Sequence, residues 1–133
     1  MKALKSRMSC GLQKGSKVAT CDNSGAKRIR IISTIGRKNT KGKNIECAVG
    51  DLIMASVING SEDMLKQVVY AIIVRQRKEW RRPDGTRIHF EDNAAVVLKD
   101  EKGNPKGTIF KGAIAKEVAE RWPSVSKLAT ILV

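Results

Sequence analysis

The sequence of 133 residues has the length of one ordinary domain. Apolar residues make up 41% of it and charged residues 29%, which favours a globular fold over a disordered chain. Lysine and arginine outnumber the acidic residues 26 to 13, and the formal net charge of +13 predicts a polyanionic partner. No stretch approaches the roughly 20 apolar residues that span a bilayer. We therefore expect no membrane-spanning segment. By charge alone, RNA, DNA, an anionic membrane surface and an acidic protein could each be the polyanionic partner.

The positive charge is concentrated in three stretches of the chain: 1–17, 27–43 and 75–87. Together they hold 18 of the 26 basic residues, whereas the rest of the sequence is close to neutral. Because these stretches contain few acids, we expect them to form the surface that contacts the polyanion.

The first third of the chain predicts an arm and two strands. Residues 1–16 have no regular apolar period, so we expect an extended basic arm that orders on a partner or on the body. A short strand over 17–21 leads into the turn sequence 22–25. Residues 26–35 alternate between apolar and polar side chains, which indicates a half-buried strand with a basic outer face.

The middle of the chain predicts three more strands and one hairpin. Residues 52–58 and 93–98 are apolar strand patterns, and 68–74 is a continuous apolar run typical of a strand buried on both faces. Residues 75–90 contain the tight-turn sequence Pro83-Asp84-Gly85 between two charged arms. We expect them to form a β-hairpin that projects from the body.

The last third predicts helices. Ile114, Val118 and Trp122 stand four residues apart, which indicates an amphipathic helix over 113–122 that ends before a proline. Ser124 is a candidate cap for a second short helix over 125–129, and the apolar residues 131–133 are expected to dock on the body.

These elements predict a mainly β fold: a five-stranded closed β-barrel with a projecting basic β-hairpin and a small C-terminal helical unit. We expect a single domain over 1–133. Its parts are the arm 1–16, the barrel with its hairpin 17–111, and the helical unit 112–133.

Arginine and lysine in the basic strand, its following loop and the hairpin are the candidate residues for binding the polyanion, because guanidinium groups contact phosphates in pairs and stack on bases. The tip of such a hairpin can enter a groove of folded RNA, which makes RNA one candidate for that polyanion. They are Lys27, Arg28, Arg30, Arg37, Lys38, Lys41, Lys43, Arg75, Arg77, Lys78, Arg81, Arg82 and Arg87. Trp80 and His89 are candidates for stacking on a base or for contact with a partner protein. The alternative interpretation is a solvated edge hairpin whose charges prevent strand aggregation.

Neither a catalytic nor a metal site is indicated. Cys10, Cys21 and Cys47 lie far apart, and His89 has no partner at ligand spacing. We expect no cofactor, no metal and no enzyme activity. A free OB-like RNA-binding translation factor is the alternative function, but its barrel face would need an aromatic platform, and the aromatic residues here are scattered.

Several motifs between residues 15 and 133 occur in the order and spacing of one known family. They are Asp22-Asn23-Ser24-Gly25-Ala26, Val49-Gly50-Asp51, Arg75-Gln76-Arg77-Lys78, Arg82-Pro83-Asp84-Gly85, Phe90-Glu91-Asp92-Asn93 and Gly112-Ala113-Ile114-Ala115. By these motifs the chain resembles large-subunit ribosomal protein family fourteen, in its archaeal and eukaryotic branch. The short N-terminal arm favours the archaeal form.

The resemblance implies a structural constituent of the large ribosomal subunit in the cytoplasm. It implies contacts with large-subunit ribosomal RNA, with neighbouring ribosomal proteins and with small-subunit RNA across an intersubunit bridge. We accordingly expect no membrane partner and no homo-oligomer. It also implies that an anti-association initiation factor docks on the protein. We place that docking on the C-terminal unit, at Lys116, Glu117, Glu120 and Arg121.

Overall fold

The computed structural model describes residues 1–37 and 44–133. In chain order its strands are β1 (Leu12–Gln13), β2 (Lys17–Thr20), β3 (Ala26–Thr34), β4 (Glu46–Cys47), β5 (Leu52–Gly60), β6 (Val68–Arg75), β7 (Trp80–Arg81), β8 (Arg87–Ile88), β9 (Ala94–Leu98), β10 (Ala113–Ile114) and β11 (Ile131–Leu132). The helices are α1 (Lys116–Arg121) and α2 (Pro123–Leu128). Strands β2, β3, β5, β6 and β9 form a closed barrel in that order, which confirms the predicted fold class. All neighbours in the barrel are antiparallel except β2 and β9, which close it in parallel.

The barrel strands form where the sequence alternates or runs apolar. On β3, Ile29 and Ile31 are buried in the interior while Arg28 and Arg30 are exposed, as predicted. The β3–β5 ladder shifts register around Arg28, and such an irregularity lets Lys27 and Arg28 both reach solvent. The basic outer face of β3 therefore follows from its sequence pattern and one local bulge.

The apolar run in β6 is buried on both faces at its C-terminal end. Ala71 and Ile73 fill the barrel interior, and Ile72, which points outward, is covered as well. The backbone just after β10 lies against this end, since the Ala115 amide donates to the Val74 carbonyl at 3.3 Å. The predicted two-sided burial is thus confirmed for the part of β6 under the C-terminal unit.

The turn after β2 carries the buried Asp22 and the exposed Asn23, and each of these side chains binds another segment of the chain. The Asp22 carboxylate accepts hydrogen bonds from the Val97 amide and the Ser24 hydroxyl, both at 2.9 Å. Burial raises the pKa of Asp22 above its ordinary value, although these hydrogen bonds act in the opposite direction. Asn23 accepts from the Thr108 amide at 2.8 Å. The predicted turn therefore also holds the segments around Val97 and Thr108 in place.

The N-terminal arm lies on the body of the protein. Met8 and Leu12 are buried, and β1 pairs with β4. The fully buried Gln76 donates to the Ser9 carbonyl at 2.8 Å and accepts from the Val49 amide at 3.2 Å. Of the two expectations for this arm, ordering on a partner or on the body, the structure shows the second.

The C-terminal unit differs from the prediction at its helix boundaries. Helix α1 is shorter than the predicted 113–122, and α2 begins at Pro123, whose fixed φ suits the first helical position. Ser124 is therefore inside α2, so its predicted role as the helix cap is wrong. Trp122 is buried between the helices and donates to the Gly50 carbonyl at 2.9 Å. The chain end docks as expected, because β11 pairs in parallel with β10.

Candidate nucleic-acid interface

The exposed cations of β3 stand out because nothing in the described part of the chain neutralises them. Lys27, Arg28 and Arg30 are exposed, and no ion pair or side-chain hydrogen bond engages them among residues 1–37 and 44–133. Lys17 lies directly opposite Arg30 across the β2–β3 ladder and is also exposed. The sequence prediction missed Lys17, although its alternation with the buried Val18 placed it outside.

We call residues 75–90 the basic ribbon. Its regular ladder is short: Trp80 pairs with Ile88, and Arg81 with Arg87. The turn is closed by the Arg82 amide, which donates to the Thr86 carbonyl at 2.8 Å, with Gly85 in the left-handed region at φ +92°. The predicted hairpin is confirmed, but over only two residue pairs.

The tip of the ribbon holds like charges side by side. Arg81 and Arg87 face each other and are both exposed, an arrangement that costs stability without counter-charges. Arg87 contacts Glu79 at 2.7 Å in an exposed ion pair, and this hydrogen bond lowers the pKa of Glu79. Arg81 has no such partner in the described residues, and neither does the exposed Lys78. An external anion is therefore the natural counter-charge at this tip.

Arg75 was predicted to contact RNA, and the structure corrects this prediction. Its guanidinium binds both carboxylate oxygens of Asp92 at 3.0 and 3.1 Å, and it donates to the carbonyls of Lys111 and Ala113 at 3.1 and 2.9 Å. The side chain is 12% exposed. Arg75 is thus used inside the fold, where it joins the barrel to the C-terminal unit, and is not available to a phosphate.

Arg82 was also predicted to contact RNA, and it too is used inside the fold. Its Nε and a terminal nitrogen contact the two carboxylate oxygens of Glu117 at 2.8 and 3.2 Å, and the same nitrogen donates to the Val133 carbonyl at 2.6 Å. Trp80 donates to the same carboxylate at 3.2 Å. We call Trp80, Arg82 and Glu117 the ribbon clamp. It ties the basic ribbon to α1 and to the chain end.

The electrostatics of the ribbon clamp favour a charged pair. Burial alone would raise the pKa of Glu117, but hydrogen bonds from Arg82, from the backbone and from Trp80 outweigh it, and the pKa lies below its ordinary value. Glu117 is therefore a carboxylate at neutral pH. Since it is buried and fully engaged, its predicted role in partner docking is corrected too.

The two candidates for base stacking, Trp80 and His89, differ in exposure. Trp80 is 1% exposed and packs against Phe90, with ring centroids 5.9 Å apart, so it cannot stack on a base from outside. This corrects the expectation for Trp80. His89 is exposed, so its predicted stacking remains open to test.

Two further arginines are partly engaged. Arg77 is exposed while its Nε donates to the Glu91 carbonyl at 2.7 Å. Arg37 contacts Asp51 at 2.9 Å and the Cys10 sulfur at 2.8 Å, with its side chain 39% exposed. The remaining predicted loop residues, Lys38, Lys41 and Lys43, lie outside the described residues.

The candidate residues for partner docking on the C-terminal unit also differ in exposure. Lys116 and Glu120 are exposed on α1. Arg121 instead contacts the buried Asp51 at 3.2 Å with its side chain 17% exposed, which corrects its assignment as a docking residue. Sequence reasoning missed Asp51 as the shared partner of two arginines, because nothing in its local pattern marks a buried carboxylate.

Other kinds of site find little support in the described residues. No group of three or more histidine, cysteine or acidic side chains is placed to hold a metal ion there. Burial raises the pKa of Cys21 to about 11 and that of Cys47 to about 12, so both thiols stay protonated and unreactive. No helix in this part of the chain is long and apolar enough to cross a membrane.

Comparison with known proteins identifies the family of this chain. The family described as "Ribosomal protein L14p/L23e" matches residues 11–133. The chain is 48% identical to the protein named "Large ribosomal subunit protein uL14" of Nanoarchaeum equitans and 48% identical to that of Haloarcula marismortui. It is 46% identical to the protein of that name in Halobacterium salinarum, and each of these alignments covers the whole of both chains. The resemblance seen in the sequence motifs, including its archaeal type, is therefore confirmed, and the chain belongs to the ribosomal protein L14p/L23e family.

Proposed function

We propose that this protein is a structural constituent of the large ribosomal subunit that binds large-subunit ribosomal RNA without catalysing a reaction. Its family and the name shared by its relatives support this role. The observation that carries the proposal is the set of exposed cations on β3 and at Arg81 of the ribbon tip, which have no acidic partner among the residues that the structure describes. A site in the ribosome places the protein in the cytoplasm.

The RNA contacts divide between two rigid supports. The barrel presents Lys27, Arg28 and Arg30 on one strand face, and the ribbon clamp fixes the position of the ribbon that carries Arg81. Further contacts come from the exposed side chains of the ribbon and from the basic loop after β3: Arg37, Lys38, Lys41, Lys43, Arg77, Lys78 and Arg87. Both supports are held before RNA arrives, so little entropy is lost on binding.

Salt dependence and charge reversal test this function. Affinity for ribosomal RNA should fall with salt, with a log–log slope of about −0.7 to −0.9 for each phosphate neutralised. Arg81→Glu should weaken incorporation into large subunits, measured as cosedimentation after a salt wash, whereas Lys127→Glu on α2 should not. Salt-independent binding, or equal effects of the two variants, would contradict the proposal.

The resemblance to the family supports a proposal about finer partners. We propose contacts with neighbouring ribosomal proteins and with small-subunit RNA across an intersubunit bridge. We also propose that an anti-association initiation factor docks at the C-terminal unit, where Lys116 and Glu120 are the exposed charged residues of the candidate set. Reversing both charges should weaken factor binding to the large subunit, and unchanged binding would remove this assignment.

A further inference from the structure

The barrel strands have an unusual charge composition. Their 35 residues include no aspartate or glutamate, although the whole chain has 13 acids. They include five cations, and four of these are exposed, the exception being Arg75. A barrel surface without acids repels basic segments and attracts polyanions.

Strand register extends this basic surface into an apolar one. Lys17 lies opposite Arg30, Arg30 opposite Ser56, and Ser56 opposite Val68, so the four side chains form one row on the outer face. The row crosses three strand spacings, about 14 Å. It begins with two exposed cations and ends at Val68, which is 58% exposed.

A neighbouring row adds an aromatic side chain to this face. Ser33 pairs with Met54, and Met54 with Tyr70, so the tyrosine lies on the same outer side as Val68, two residues along β6. Tyr70 and Met54 are half-buried. A groove of about 480 Å³ continues past Tyr70 and is lined on its far side by Lys99 and Lys106.

The same outer face is covered further along β6 but bare here. Its next row, Leu52 opposite Ile72, is buried, whereas Val68 and Ile58 are left exposed. The cover ends between Ile72 and Tyr70. The face thus has a row of cations on one side, apolar and aromatic side chains on the other, and lysines beyond them. This is the layout of a surface that holds unpaired nucleotides.

We propose that this outer face, which we call the barrel-face strip, binds an unpaired strand of RNA. Lys17, Arg28 and Arg30 contact its phosphates, and bases lie against Val68 and Tyr70. A duplex would not fit this layout, since its bases are stacked and paired and present no free face to an aromatic ring. The inference rests on the proposed RNA-binding function and adds the class of RNA and the residues that recognise it.

The test uses the full-length protein and an oligouridine of about eight nucleotides, a length within the range that single barrels of this kind bind. Fluorescence anisotropy should show that Arg30→Glu and Tyr70→Ile each weaken binding about five-fold or more, while the matched surface change Lys127→Glu alters it less than two-fold. Tyr70→Ile should leave affinity for an RNA duplex of equal length unchanged. That difference separates base contact from a general loss of charge or fold.

A second measurement avoids any substitution. An oligouridine carrying one 4-thiouridine, cross-linked by light to the wild-type protein, should attach at Tyr70 or its neighbours on β5 and β6. Attachment confined to the basic ribbon, or equal effects of Tyr70→Ile on single strand and duplex, would overturn the inference. If the strip variants bind oligouridine normally and instead lose a ribosomal protein neighbour, the strip is a protein contact and the inference is wrong.

The two proposals fail in distinguishable ways. If the protein is a ribosomal RNA binder that lacks the barrel-face strip, Arg81→Glu reduces cosedimentation with large subunits while Arg30→Glu and Tyr70→Ile leave oligouridine binding unchanged. If the RNA-binding function itself is wrong, wild-type protein neither binds the oligonucleotide nor cosediments in a salt-dependent way.

Discussion

The arginines on the outer face of β3 and those that contact the C-terminal unit have the same side chain but are used in opposite ways. Arg28 and Arg30 extend into solvent without a partner in the described residues, whereas Arg75 and Arg82 are nearly buried and make three or four polar contacts each. All four lie in basic stretches of the sequence. The count of charges therefore locates a basic region but does not say which of its cations face a partner.

The difference arises from where each arginine meets the rest of the chain. A guanidinium that enters a junction between elements loses hydration, and it is tolerated there only with its donors satisfied. Its planar set of donors suits a carboxylate together with backbone carbonyls, which is what surrounds Arg75 and Arg82. On a barrel strand, by contrast, alternation places Arg30 in water, where an external phosphate can reach it.

Breaking the ribbon clamp should have the largest effect on this division. Glu117→Gln removes the negative charge that faces Arg82, so a nearly buried guanidinium loses its counter-ion. We expect the free energy of unfolding to fall by about 3 kcal/mol, the range seen when one partner of a buried ion pair is removed. Urea denaturation followed by tryptophan fluorescence measures this, because Trp80 and Trp122 are both buried.

The matched control for that variant lies one turn away on α1. Glu120 is exposed and has no ion pair in the described residues, so Glu120→Gln should change stability by less than about 0.5 kcal/mol. If both variants cost the same, Arg82 is not held by Glu117, and it returns to the group of cations available to RNA.

A comparison of Arg75→Ala with Arg30→Ala sharpens the division further. Arg75→Ala removes an ion pair to Asp92 and two carbonyl contacts, and should cost about 2 kcal/mol of stability. The affinity of its folded fraction for RNA should stay unchanged. Arg30→Ala should do the reverse, with stability held within about 0.5 kcal/mol and a salt slope reduced by about 0.7 to 0.9. A loss of RNA affinity in both variants would end the distinction between internal and external arginines.

Much of the fold could be predicted because the barrel strands follow simple periods. The alternation around Ile29 and Ile31 and the apolar run over β6 set the strands and their buried faces, as the structure confirms. Helix boundaries were harder to predict. Ile114, Val118 and Trp122 keep a helical spacing, yet Ile114 lies in a strand, because β11 pairs with it from beyond both helices of the C-terminal unit. Local spacing contains no information about such a partner.

The candidate site was predictable only in part, for a related reason. The alternation that exposes Arg28 and Arg30 is local, so sequence reasoning found them. The burial of Trp80 and Arg82 depends on Glu117, which is 35 or more residues away in the chain. The role of Lys17 depends on register with Arg30, and the barrel-face strip depends on four strands meeting in order. These contacts are long-range, and one-dimensional patterns do not encode them.

The smallest expected effect concerns pH, and it tests whether the ribbon clamp is an ion pair at all. The pKa of Glu117 in the folded protein lies below its ordinary value of 4.5, so the stability it contributes is fully present above that value. This contribution is lost as the pH falls from 4.5 through the folded pKa. The difference in unfolding free energy between wild type and Glu117→Gln should therefore be constant from about pH 7 to 5 and shrink toward about pH 3.

Other acids with lowered pKa values, among them Asp84 and Asp100, are present in both proteins and cancel in the difference. Asp22 cancels as well, although its raised pKa acts in the opposite direction and adds stability as the pH falls. A difference that stays constant down to pH 3 would mean that Glu117 holds Arg82 and Trp80 by geometry alone, and that the contrast between internal and external arginines is one of packing and not of charge.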